Sequence, residues 1–211
     1  NAIRKKVLTA NNIDDGYIRP VSWRGSEMMG ISAQKNTIHF ALAAWKWPSY
    51  FSPEARLKGI KLNISKWRRP DPLTAPVNTK AAGLYMICTL SKHEAESKGY
   101  DDSLMLDYRG YIAEATGANI FFIKNNEIHT PIADWFLDGI TRQTVINIAR
   151  TEGIKVEEKR LNIEDINDYE ECFLTGTAAE VTPVRSIANY EFKPGKLCKF
   201  FIEKYSELTL S

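Results

Sequence analysis

"PVNTKAAGLY", residues 76–85, decides how the rest of the chain is read. Asn78 and Thr79 are helix-starting residues, because a short polar side chain can accept from the orphan N–H groups of a first turn. Lys80 then falls in that turn, where the helix dipole is positive and a cation is disfavoured. The residues that follow, Ala81, Ala82, Gly83, Leu84, Tyr85, Met86 and Ile87, are mostly small or apolar and read as buried. The pattern predicts a helix from about Thr79 to Lys98, stopped by Gly99. Lys80 is then either a solvated side chain at a helix end, the ordinary fate of lysine, or an amine that loses its proton easily. The second kind of lysine suits a Schiff base.

On either side of this stretch the chain alternates short strands with a few helices. The opening "NAIRKKVLTANNIDDGYIRP" reads as the tail of a helix, a loop and then a strand, and the sequence is expected to start inside a domain. Strands are expected over 16–25 and 36–47, from their aromatic and β-branched content. "PSYFSPEARLKG" (48–59) has two prolines and a polar patch, and is read as the linker between domains. The division is a small-domain remnant over 1–47, a linker over 48–58 and a large domain over 59–211. Within the large domain "GIKLNISKW" (59–67) alternates as a strand, and "RRPDPLTAPVN" reads as a proline-rich loop. Further strands are expected at 103–108, 110–115, 119–124 and 127–131, then in "IKVEEKR", "ECFLTGT" and "VTPVRSI". Helices are expected at 141–153, over "IEDINDYE" and at about 195–210. Closely spaced strands with few helices predict an α+β fold.

Bulk properties narrow the function. The 211 residues carry 28 basic and 26 acidic side chains, a net charge of +2. That balance offers nothing to nucleic acid or an anionic membrane surface. No apolar run reaches membrane-span length. Cys88, Cys172 and Cys198 are far apart, so neither a disulfide framework nor a zinc site is expected, and a reducing compartment fits best. His39, His93 and His129 are scattered, and no metal site is expected.

Three more stretches bear chemistry. In "LDGITRQ" (137–143), Gly139 precedes a helix whose first amides, at Ile140 and Thr141, could hold a phosphate; a plain threonine N-cap is the alternative. In "FLTGTAAEVTPV" (173–184), the turn at Gly176, Thr177 and Ala178 could aim amides at an anion, or be an ordinary tight connection. In "YIAEATGANIFFIK" (111–124), the single acid Glu114 sits among small apolar residues, so it is either exposed or paired.

In this order and spacing, "NTKAAGLY", "YIAEATGANIFFIK", "LDGITRQ" and "GTAAEVTPV" resemble the fold-type IV aminotransferases, which depend on pyridoxal 5'-phosphate. Among these the branched-chain amino acid aminotransferases are the best match. The resemblance implies a two-domain α+β fold whose small N-terminal domain is incomplete here. It also implies that Lys80 forms the Schiff base with the cofactor, while Glu114 pairs with the pyridine nitrogen. Tyr85 lies near the phenolic oxygen, Leu137 packs on the ring, and Ile140, Thr141 and Thr177 contact the phosphate.

On the substrate side, "YIRP" places Tyr17 and Arg19 in the pocket, with Arg19 facing the distal carboxylate of glutamate. Met29, Gly30 and Ile31 match a loop that approaches from a neighbouring subunit. Trp47 and Tyr50 match an aromatic wall, and the amides of Thr177 and Ala178 match anchors for the α-carboxylate. The implied activity is transamination of leucine, isoleucine and valine with 2-oxoglutarate, in branched-chain amino acid biosynthesis, by a cytoplasmic homodimer or higher homo-oligomer. A D-amino-acid aminotransferase, an aminodeoxychorismate lyase or an inactive truncated domain are the alternatives. The family has a stretch before the equivalent of Asn1 that supplies a phosphate-binding arginine and pocket aromatics.

Overall fold

Residues 2–47, 51 and 58–210 are described by the computed structural model. They fall into two units, Asn1–Tyr50 and Phe51–Ser211. Of the expected linker, only Phe51 and Lys58 are among the described residues. Tyr50 lies outside them.

In the first unit, α1 (Ala2–Ala10) buries none of its residues. The hairpin of β1 (Tyr17–Arg24) and β2 (Ile38–Trp45) pairs in unbroken antiparallel register, from Tyr17 opposite Trp45 to Arg24 opposite Ile38. Its aromatic and β-branched side chains favour a pleated strand, although most of them are exposed.

The second unit is built on a ring of strands. In chain order these are β3 (Ile60–Arg69), β4 (Asp102–Asp107), β5 (Ile112–Ala115), β6 (Asn119–Lys124), β7 (Glu127–Pro131), β8 (Val156–Lys159), β9 (Glu171–Gly176), β10 (Glu180–Ile187) and β11 (Tyr190–Glu191). β10 pairs with β3, β3 with β4, β4 with β5, β5 with β6, β6 with β9, and β9 back with β10. Closing the sheet on itself removes the free edges of those strands. β7 and β8 continue outward from β6, and β11 from β10. Parallel and antiparallel pairs are mixed, and the helices are few, so the α+β expectation holds.

The alternation of side chains explains why "NIFFIK" reads as a continuous apolar run. Ile120 and Phe122 of β6, with Cys172 and Leu174 of β9, enter one core alongside Leu62, Leu104 and Val184. Their neighbours Phe121, Ile123 and Phe173 turn to the other face. There they pack under α3 (Ile140–Thr151) and α4 (Lys196–Leu210), against Val145, Ile146, Ala149, Cys198 and Phe201. Both faces of the strand are covered, as in a buried sheet. Each such large apolar side chain stabilises the fold by about 1.5–3 kcal/mol. Phe121 and Phe173 stack with centroids 4.9 Å apart.

β3 and β4 run parallel, so the chain must cross over between them, and it does so through α2 (Tyr85–Ser97). Leu84, Cys88, Ser91 and Ala95 form the buried stripe of this crossover, at helical spacing. Here the structure corrects the expectation from sequence. No helix begins at Thr79, because its amide and its Oγ both donate to the carbonyl of Pro76, at 3.0 and 2.7 Å, and close a turn. Ala81 is extended, and a 3₁₀ turn over Ala82–Leu84 leads into α2. Lys80 therefore precedes the helix. Ala81, Ala82 and Gly83 are exposed, because only the stripe from Leu84 onward meets the sheet. The helix expected over "IEDINDYE" is a short 3₁₀ segment, Glu164–Asp168. Arg69, read as loop, ends β3.

The stop at Gly99 is as expected. Its φ is +77°, and Tyr100 N–H donates to the Ala95 carbonyl at 3.0 Å, the six-to-one bond of a left-handed helix end. A Cβ at Gly99 would meet nothing within 4 Å, so Gly99→Ala carries the backbone cost alone. The expected loss is about 1 kcal/mol in urea unfolding. A neutral result would show that another cap holds the end of α2.

Candidate functional site

Glu114, Asn119 and Thr175 stand in one row across β5, β6 and β9. Glu114 is opposite Asn119, and Asn119 is opposite Thr175. Directly opposed residues share one face of a sheet, and all three are buried. The glutamate read from sequence as either exposed or paired is therefore paired. Asn119 Nδ2 donates to its Oε2 at 3.3 Å. Arg69, from the end of β3, brings Nε to 3.3 Å from Oε1, although not in hydrogen-bonding geometry.

Burial raises the Glu114 carboxyl from its ordinary 4.5 to about 7, against the pull of Arg69 and then of Lys80. The acid is thus poised near neutrality rather than firmly ionised. A further cation placed against it would favour its ionised form. Arg69 is itself held from behind, where its Nη1 donates to Cys88 Sγ at 3.4 Å. Burial pushes that thiol up, which suits a structural cysteine.

Lys80 is exposed, like the three residues that follow it and that the sequence led one to expect buried. It lies in the crossover between β3 and β4, close enough for its charge to act on Glu114. Its Nζ is 5.8 Å from the ring centroid of Tyr85, the first residue of α2. Lys80 and Glu114, singled out separately from the sequence, act on each other, and Tyr85, named by the resemblance, lies beside Lys80.

The row also reaches α3. Asn119 Nδ2 donates to the Leu137 carbonyl at 2.9 Å, and Asn119 Oδ1 accepts from Gly139 N–H at 3.2 Å. Gly139 is the N-cap of α3 and has no side chain with which to cap it. The alternative of a threonine N-cap is thereby removed: Thr141 lies inside the helix, buried, with Oγ1 3.4 Å from the Tyr205 hydroxyl. Ile140 is exposed at this uncapped start, where amide N–H groups and the helix dipole favour an anion. On the neighbouring hairpin a Cβ at Gly176 would come within 3.3 Å of the Gly117 carbonyl. That approach brings the Thr177–Ala178 turn beside the loop after Glu114. Thr175 Oγ1 is buried and has no partner.

In the first unit, Tyr17, Trp45 and Trp47 cluster with ring centroids 4.9–5.5 Å apart, and the Arg19 guanidinium lies 5.5 Å from the rings of both Tyr17 and Trp45. Met29 and Ile31 are exposed, and a Cβ at Gly30 would meet nothing within 4 Å.

Sequence reasoning missed Arg69, Asn119 and Thr175. Arg69 was hidden by the prolines after it. Asn119 carried a readable signal, as the one amide opening an otherwise apolar strand. Thr175 had none, since threonine is ordinary in a strand.

The family model for amino-transferase class IV matches residues 1–187. A probable branched-chain-amino-acid aminotransferase of Rickettsia bellii is 45% identical over 206 residues, 96% of this chain and 70% of that protein. The crystal structure of the Escherichia coli branched-chain amino acid aminotransferase superposes with a TM-score of 0.93 at 35% identity, over 97% of this chain and 69% of that one. That of an aminotransferase from Brucella abortus bound to the co-factor PLP gives 0.88 at 31% identity, covering 100% and 74%. The chain spans 61–70% of the length of such curated relatives.

Proposed function

Because the chain belongs to the amino-transferase class IV family, we propose that it carries the cofactor-binding machinery of a branched-chain amino acid aminotransferase. The observation that carries this is Glu114, a buried acid near neutrality with Lys80 beside it and an uncapped helix start tied to it through Asn119. These residues fit pyridoxal 5'-phosphate. The unpartnered Thr175 hydroxyl and the uncapped α3 offer donors.

When bound, the cofactor supplies an electron sink for the pair left as a proton leaves the substrate Cα. Lys80 would hold the cofactor through its aldehyde, and its amine, when free, would serve as the base that takes the proton from the substrate Cα. Glu114 would keep the pyridine nitrogen protonated, and Arg69 limits how far burial can neutralise that acid. Tyr85 would serve the phenolic oxygen and Leu137 would pack on the ring. Ile140, Thr141 and Thr177 would contact the phosphate.

The Tyr17, Trp47 and Arg19 group forms a substrate pocket with apolar walls and one fixed cation. Such a pocket takes an aliphatic side chain and the distal carboxylate of glutamate in turn. Thr177 and Ala178 amides anchor the α-carboxylate. Net reaction moves the amino group from a branched-chain L-amino acid to 2-oxoglutarate, leaving the 2-oxo acid and glutamate. Three buried free cysteines support a cytoplasmic setting. The exposed Met29–Ile31 loop supports a homodimer or higher homo-oligomer.

Steady-state assays with L-leucine, D-alanine and aminodeoxychorismate test the choice. Turnover with L-leucine and 2-oxoglutarate is expected, and activity with D-alanine alone would refute it.

A further inference from the structure

The geometry points to Asn119 as a positioning residue that ties the acid end of the site to its anion end, so that Glu114 and the start of α3 are set by one side chain. The assignment of those two ends rests on the proposed function; the connection itself rests on hydrogen bonds. Asn119 spends its amide completely in one direction. Its two Nδ2 protons go to Glu114 Oε2 at 3.3 Å and the Leu137 carbonyl at 2.9 Å, and its Oδ1 takes the Gly139 N–H at 3.2 Å. The Leu137 carbonyl can only accept and the Gly139 amide can only donate, so the amide cannot be flipped.

Crowding gives a second, independent sign. A Cβ on Gly139 would stand 2.5 Å from Asn119 Oδ1. The glycine at the N-cap therefore leaves room for this amide. Burial leaves Asn119 no water to substitute for a lost partner. A shift of either end is thus felt at the other. A planar ligand held at both ends would find its acid and its anion site at a set separation before it binds, which lowers the ordering cost of binding.

The test follows the Glu114 carboxyl by NMR titration in the cofactor-free full chain, in wild type, Asn119→Ala, Gly139→Ala and the double variant. Asn119→Ala removes a donor to the carboxylate, so its titration midpoint should rise by about one unit. Gly139→Ala should raise it too, although Gly139 does not touch Glu114, because the new Cβ displaces the amide. In the double variant the glycine change should add little, as the clash is gone.

Absorbance titration with pyridoxal 5'-phosphate should show affinity falling about tenfold or more in each single variant. Asn119→Asp keeps an acceptor for Gly139 and puts a like charge beside Glu114. It should retain more affinity than Asn119→Ala while moving the Glu114 midpoint further. Unchanged midpoints in both single variants would overturn the coupling. So would affinity losses that merely track a loss of stability in urea. If wild type forms no band with the cofactor but the midpoints move as stated, the proposed function fails and the coupling between Glu114 and α3 stands.

Discussion

Lys80→Ala is expected to abolish the visible absorption band that pyridoxal 5'-phosphate forms with the chain, and to lower transamination by about 10²–10⁴-fold. The band needs a bond between the cofactor's aldehyde and a lysine. Lys80 is the lysine whose charge acts on Glu114, and it stands 5.8 Å from the Tyr85 ring. On the proposed function, two roles would be lost in one substitution: the covalent anchor, and the amine that moves the proton from Cα. Lys80 is exposed and makes no packing contribution to a core, so the variant should unfold in urea near the wild-type midpoint. The contrast between lost chemistry and retained stability is the signature. A variant that kept the band would place the anchor on another lysine.

Glu114→Gln carries the second large effect, a fall in turnover of about 10²–10³-fold with cofactor still bound. Glutamine keeps the shape and the acceptor for Asn119 Nδ2. It cannot hold the pyridine nitrogen protonated, so the electron sink weakens while the phosphate end remains.

The same substitution changes how stability depends on pH. With its folded value at about 7 against an ordinary 4.5, Glu114 holds a proton in the folded chain over a range where the unfolded chain has released it. Its contribution to stability is therefore full below about 4.5 and is lost as pH rises to about 7. Glu114→Gln should remove this part of the slope. Urea unfolding at pH 5 and pH 8 measures it. A wild-type slope of opposite sign, attributable to Glu114, would mean that Arg69 dominates burial.

How far the sequence reveals such a site depends on the range of the interactions. β6 and β7 were legible to the residue: β6 because burial on both faces leaves a continuous apolar run, and β7 because Asn125 and Asn126 before it and Pro131 at its end mark its bounds. Gly99 was legible because the left-handed end of a helix is a local demand. Lys80 was picked out by a local argument that the structure does not support. The expected helix start is a turn closed by Pro76, and the lysine is exposed. Its place near Glu114 comes instead from the parallel crossover between β3 and β4, which no local pattern encodes. Arg69 was missed for the same reason. The residues that make it chemically interesting, Cys88 and Glu114, are 19 and 45 positions away. The links of Asn119 to Leu137 and Gly139 span a whole hairpin. Long-range pairing assembles this site, whereas its parts are written in short motifs.

The central claim is that Lys80 is the residue that bonds the cofactor. Borohydride treatment of the chain with pyridoxal 5'-phosphate, followed by proteolysis and mass mapping, tests it without an activity assay. The account predicts one phosphopyridoxyl group, on the peptide that contains Lys80, and none in Lys80→Ala. The same label on another lysine, or persisting in Lys80→Ala, would contradict it.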